Sequence, residues 1–118
     1  MVGQVSDPPV RLIFDEAAAA TAAGDPDHVR VLERATLKVG YYRPRGTDDQ
    51  EPHDQDELYV VMTGSGTFNL DGSRTPFKTG DVLVAAARVP HRFEDFSDDF
   101  AAWVVFWGPP GGELTREV

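Results

Sequence analysis

Three side chains on two segments of this chain have the types and spacing to hold a cation: His53 and Glu57 on the first, His91 on the second. The first segment reads Glu51-Pro52-His53-Asp54-Gln55-Asp56-Glu57 and runs directly into Leu58-Tyr59-Val60-Val61-Met62. The second begins Gly80-Asp81-Val82-Leu83-Val84 and continues through Pro90 to His91. Imidazole nitrogen and carboxylate oxygen suit Zn²⁺, Mn²⁺ and Fe²⁺. Glu51 is a candidate fourth donor. Pro52 favours an extended backbone, and residues two apart on an extended chain face one side. Neighbouring carboxylates repel unless a cation lies between them, which argues for a bound metal. The same alternation puts Glu57, Tyr59 and Val61 on one face of the next segment and the apolar Leu58, Val60 and Met62 on the other.

These groups need a rigid frame, and the chain is patterned to supply strands. Residues 29–33, 35–43, 58–62, 67–70, 75–78, 82–86, 91–96 and 100–107 each read as a strand, with turn residues between them. Asp71-Gly72 between two β-prone runs is a hairpin signal. Gly64-Ser65-Gly66 reads as a break. Ahead of the strands, residues 14–23 are rich in alanine and predict one short helix, capped by Asp15 and ended by Gly24 and Asp25-Pro26. Residues 1–12, with Asp7-Pro8-Pro9, read as an extended arm, and 108–118 as a loosely ordered tail. No helix alternates with the strands, so a parallel α/β sheet is excluded. The expected class is all-β, an antiparallel sandwich or barrel.

The 118 residues fit one domain over 1–118 and are enough to bury a core. Cysteine is absent, so neither disulfides nor thiolate ligands enter. Lys and Arg total 11 against 20 Asp and Glu, a net charge of −9 that repels phosphate backbones and argues against nucleic acid. No apolar run approaches the length of a membrane span, and the first residues lack the pattern of a secretion signal. The expectation is a soluble, cytoplasmic protein.

The two segments together resemble the motifs of the cupin family. The first cupin motif runs Gly, His-x-His, Glu, Gly; here Gly46, Glu51-Pro52-His53, Glu57 and Gly64 stand at matching spacing. The second runs Gly, Pro-x-Gly, His, Asn; here Gly80, Ala86-Ala87-Arg88, His91 and Asp95 do so. Glu51 replaces the first His, while Ala86, Arg88 and Asp95 replace residues that shape turns. The resemblance covers about residues 33–107. It implies a jelly-roll, double-stranded β-helix barrel, to which the alanine stretch adds one short N-terminal helix. It also implies one divalent metal in the lumen: Mn, Fe or Zn, with Ni or Cu open. The ligands would be His53, Glu57, His91 and Glu51.

The implied activity is that of a dioxygenase or isomerase acting on a small molecule. Glu51 or Glu57 would then serve as base, and Tyr59 as hydrogen-bond donor to developing charge. Gln55 is expected to support a ligand by a hydrogen bond. Chains of this kind pair, so a homodimer is expected, with the row Leu58, Val60, Met62 packing against the facing sheet or a partner. Two other readings stand: a non-catalytic sensor using the same lumen, and a structural dimerisation domain with a relic site. The acidic run Asp48, Asp49, Glu51, Asp54, Asp56 reads mainly as a solvated rim. His28 reads as a surface residue, and Tyr59, Phe68, Phe93, Trp103 and Trp107 as core.

Overall fold

The alanine-rich stretch forms α1 (Phe14–Ala23), with Asp15 and Glu16 in the first turn, where the helix dipole favours negative charge. The structure is a computed structural model and describes residues 10–23, 27–48 and 50–113. The expected arm over residues 1–9, the helix stop at residues 24–26, Asp49 and tail residues 114–118 lie outside the described residues.

Eight strands follow among the described residues: β1 (His28–Arg34), β2 (Leu37–Tyr42), β3 (Asp56–Thr63), β4 (Ser65–Leu70), β5 (Ser73–Lys78), β6 (Val82–Ala85), β7 (His91–Glu94) and β8 (Ala101–Trp107). Every pairing is antiparallel. The strands form a five-stranded sheet, β1-β2-β8-β3-β6, and a three-stranded sheet, β5-β4-β7. The expected closed barrel is therefore not reached. β6 and β7 have four residues each and pair only with β3 and β4, so no ladder is carried from one sheet to the other. What holds is an antiparallel, mostly β fold in two facing sheets.

Two turns show why the chain takes this path. Asp71 (φ 50°) and Gly72 (φ 92°) both lie in the left-handed region, as a two-residue type I′ hairpin requires, and they set Leu70 opposite Ser73. At Gly64 (φ 92°) the chain leaves β3 in one sheet and enters β4 in the other. The break expected over residues 64–66 thus narrows to Gly64, since Ser65 already begins β4. A Cβ there would lie 2.6 Å from the Phe100 backbone, so the crossing needs a glycine.

The core fills the space between the sheets. Tyr59, Val61, Ala102, Val104 and Phe106 from the larger sheet meet Phe68, Phe77 and Phe93 from the smaller. Phe93 lies at the centre, its ring 4.8 Å from Tyr59, 5.1 Å from Phe68, 5.5 Å from Phe77 and 4.7 Å from Phe100. A second cluster lies on the outer face of the larger sheet, where Phe14 of α1 stacks on Tyr41 and Trp103. The helix covers only that side. Towards β6 the outward row continues with half-buried Leu58 and Val60, exposed Met62, and Val82 and Val84, each 54% exposed.

Candidate metal centre

Glu57 and His91 enter the interior from opposite sheets. Glu57 is the first inward residue of β3 and His91 the first of β7; each side chain is only 1% exposed. His91 Nε2 lies 2.6 Å from Glu57 Oε1, and His53 Nε2 lies 4.0 Å from the same oxygen. One donor atom from each of the three residues falls within 4.8 Å of the others. Val89 O, 2.9 Å from His91 Nδ1, can only accept, so Nδ1 carries a proton and Nε2 is the nitrogen presented to the group. A backbone carbonyl fixing the outer nitrogen is the usual support of a metal-binding histidine. Burial by itself lowers the pKa of His91. The bond to Glu57, the Val89 carbonyl and the charges of Glu57 and Asp48 outweigh burial and raise it. Glu57 Oε2 is buried with no hydrogen-bond partner among the described residues. An unpartnered buried carboxylate oxygen beside two imidazoles suits a divalent cation, so the residues present fit one.

His53 is not on a strand. It is held in the loop between β2 and β3, its carbonyl accepting from Arg88 N at 2.6 Å. Arg88 has φ 66° at the place where the family motif has glycine, a conformation costing roughly 1–2 kcal/mol for a residue with a Cβ. Its side chain reaches Asp54 at 2.7 Å, so the same residue clamps the loop twice. Because this loop is not extended strand, Glu51 does not follow His53 inward. Glu51 is exposed and lines a second recess, which His91 and Gln50 border together with Pro52, Asn69 and Arg92. Gln55 does not touch the three donors. Its Nε2 donates to Thr36 O and Gly108 O, tying the β1–β2 turn to the end of β8.

The acidic run is more than a solvated rim. Asp48 is 6% exposed and accepts from Tyr42 Oη, Gln50 N, Gln50 Nε2 and Phe93 N. Asp56 accepts from Ala87 N and Glu113 N. Only Asp54 and Glu51 are exposed among the described members. Asp48 orients Gln50, whose Oε1 lies 3.1 Å from Tyr59 Oη and 3.3 Å from His53 Nε2. Tyr59 Oη is also 3.1 Å from His91 Nε2. Burial, followed by the charge of Glu57, pushes the Tyr59 pKa well above its ordinary value, so this phenol keeps its proton. Asp48 and Gln50 escaped the sequence reading. The usable signal was local: an aspartate two residues before a loop residue whose N–H it accepts.

A cavity of about 600 Å³ opens beside His53, the one of the three donors that lines it. Val104 and Phe106 form an apolar wall, Tyr59, Gln50 and His53 lie at one side, and His28, Arg30 and Lys38 at another. His28 is therefore a cavity residue and not simply a surface one. Gly40, buried on the neighbouring strand, makes the room: a Cβ there would lie 2.5 Å from His28 Nε2. Burial, then Arg30 and His53, lower the pKa of His28, which favours neutral imidazole.

The cupin domain family model matches residues 39–107. An uncharacterized protein of Streptomyces coelicolor is 36% identical over 99 residues, 82% of this chain and 93% of that one. The crystal structure of a cupin 2 conserved barrel domain protein from Salinispora arenicola superposes with a TM-score of 0.65 at 21% identity, over 87% of this chain and 91% of that one. The DMSP lyase DddQ from Ruegeria pomeroyi does so with a TM-score of 0.60 at 19% identity, over 69% of this chain and 46% of that one. At those identities the two structures speak for the fold alone. The family model, which matches more than half of the chain, decides the family: this chain belongs to the cupin family.

Proposed function

We propose that this protein is a metal-dependent enzyme that moves a proton on a small anionic molecule, an isomerase-type cupin. The observation that carries this reading is the convergence of His53, Glu57 and His91, with His53 bordering a cavity that is also lined by a protonated phenol and a neutral imidazole. A divalent ion bound by these three residues would supply Lewis acidity towards a carbonyl oxygen. Tyr59 keeps its proton, which it donates to Gln50 Oε1 at 3.1 Å, and would turn that donation to a substrate oxygen on which charge develops. The His28 side chain makes no hydrogen bond among the described residues, and its neutral ring takes the proton from carbon and returns it. No outside oxidant or reductant is needed.

Arg30 and Lys38 favour an anion. In a chain of net charge −9 they bring two cations to the cavity wall, although Arg30 also pairs with Glu33 at 2.6 Å. Val104 and Phe106 exclude water from the rest of the ligand.

The test is deuterium exchange. Metal-loaded protein is incubated in D₂O with a panel of 2-oxo and 2-hydroxy acids, and loss of the carbon-bound proton is followed by NMR. Exchange that disappears in His28→Ala and slows in Tyr59→Phe supports the reading. Oxygen consumption without exchange would instead make the protein a dioxygenase. Binding of an acid with neither outcome would make it a sensor. The protein would also work as a dimer, pairing through Leu58, Val60, Met62, Val82 and Val84. Light scattering should give twice the 12.9 kDa of one chain, and Val84→Lys should return it to 12.9 kDa.

A further inference from the structure

Gln50 holds a position that neither the family motif nor the group of three donors assigns. Its side-chain amide has one defined orientation. Asp48 Oδ2, a buried carboxylate that can only accept, takes a hydrogen bond from Gln50 Nε2 at 2.8 Å. The carbonyl end must then face the other way, and Oε1 sits 3.3 Å from His53 Nε2 and 3.1 Å from Tyr59 Oη. The Asp48 carboxylate is in turn fixed by Tyr42 Oη and Phe93 N, so the amide is anchored from two strands.

We propose that Gln50 Oε1 is the fourth protein donor to the ion held by His53, Glu57 and His91, in the place where the motif leads one to expect Glu51. The inference rests on the metal reading above. A carbonyl oxygen has two acceptor sites: one receives the Tyr59 proton and the other is free for a cation. Adjacent ligands bound about 2.1 Å from a metal lie about 3 Å apart, close to the 3.3 Å between Gln50 Oε1 and His53 Nε2. Glu51 has no comparable support: it lines a recess that Gln50 and His91 also border, but it is exposed and no partner among the described residues orients its carboxylate. The substitution also changes the charge of the centre. Two imidazoles, one carboxylate and one neutral amide leave a divalent ion with net positive charge, which suits an anionic ligand; a second carboxylate would cancel it.

The experiment uses the full chain loaded with Co²⁺ or Mn²⁺. Gln50→Leu removes the donor and should weaken Co²⁺ binding by at least about tenfold, the low end of what losing even a supporting group costs. The visible Co²⁺ bands should shift as well. Glu51→Gln should change neither affinity nor spectrum. Gln50→His can still donate to Asp48 through one ring nitrogen and offer the other to the ion. Pulsed EPR of the Mn²⁺ form should then report three imidazole nitrogens bound in place of two, which also serves if the leucine variant does not fold. A folded Gln50→His protein with two bound nitrogens overturns the proposal. So does a Gln50→Leu protein with wild-type affinity and bands, or a loss of metal in Glu51→Gln. If wild-type protein takes up no Co²⁺ at all, the metal reading falls and this inference with it. Normal wild-type uptake with unaffected Gln50 variants removes this inference alone.

Discussion

The space between the two sheets has two ends built on the same strands, and they could hardly differ more in chemistry. On β3, Glu57, Tyr59 and Val61 are successive inward residues; on β7 they are His91 and Phe93. At the first positions lie a carboxylate and an imidazole, with Glu57 Oε2 buried and unpartnered among the described residues. One inward position further along, Phe93 is enclosed by Tyr59, Phe68, Phe77 and Phe100. Two residues of strand, roughly 6.6 Å, thus separate a site that is costly to keep apolar-side-in from a core that stabilises the fold. The aromatic end holds the sheets together, which lets the polar end keep a buried oxygen without a partner among the described residues. Tyr59 belongs to both: its ring packs on Phe93 and its hydroxyl reaches His91.

Breaking the aromatic end should have the largest effect. Phe93→Ala should cost about 3–5 kcal/mol in urea denaturation of the metal-free protein, as for other large core deletions. A loss below about 1 kcal/mol would show that the two ends do not divide the labour in this way.

The polar end should respond to metal instead. At a free Mn²⁺ or Zn²⁺ concentration one hundred times its dissociation constant, thermal unfolding should report about 2.7 kcal/mol of added stability. That gain should vanish in His53→Ala and His91→Ala and survive in Asp98→Ala, whose side chain is exposed and outside the donor group. A gain that persists in His91→Ala would detach the ion from this site.

Arg88 gives the finest distinction. Arg88→Gly relieves a left-handed backbone worth roughly 1–2 kcal/mol but deletes the exposed ion pair with Asp54, worth about 0–1 kcal/mol. Glycine also raises the entropy of the unfolded chain. Net stability should therefore move by less than about 1 kcal/mol, with metal affinity unchanged because the His53 carbonyl keeps its backbone donor. A loss of metal in this variant would mean that the Asp54 pair, rather than the backbone bond, places His53.

What could be read in the sequence follows from which forces are local. The β4–β5 hairpin was legible because Asp71-Gly72 carries its turn conformation in its own residues. The inward run of β3 was legible from alternation, and α1 from its alanines. His53, Glu57 and His91 emerged because the family motif records a spacing that tertiary structure repeats. Alternation sets Glu51 beside His53 only where 51–53 is strand. That segment has no strand neighbour, and its shape is set by Asp48, Arg88 and Gln50, contacts from 3 to 45 residues apart in sequence. Barrel closure failed for a related reason: the lengths of β6 and β7 decide it, and strand ends are the least legible part of a sequence. His28 looked solitary because its relation to the cavity depends on Gly40, a residue missing a side chain on a different strand.

Asp48 has one more consequence, for the order of events as the chain folds. Its carboxylate receives the amide of Phe93, 45 residues further along, and the hydroxyl of Tyr42 from β2. The loop bearing Gln50 and His53 cannot take its final shape until β7 has docked, and contacts so distant in sequence close late and slowly. His91 arrives on that same strand. A nascent or refolding chain therefore has no preformed donor group to organise around, and capture of an ion by His53, Glu57 and His91 would be the last step, a readout that both sheets have met in register.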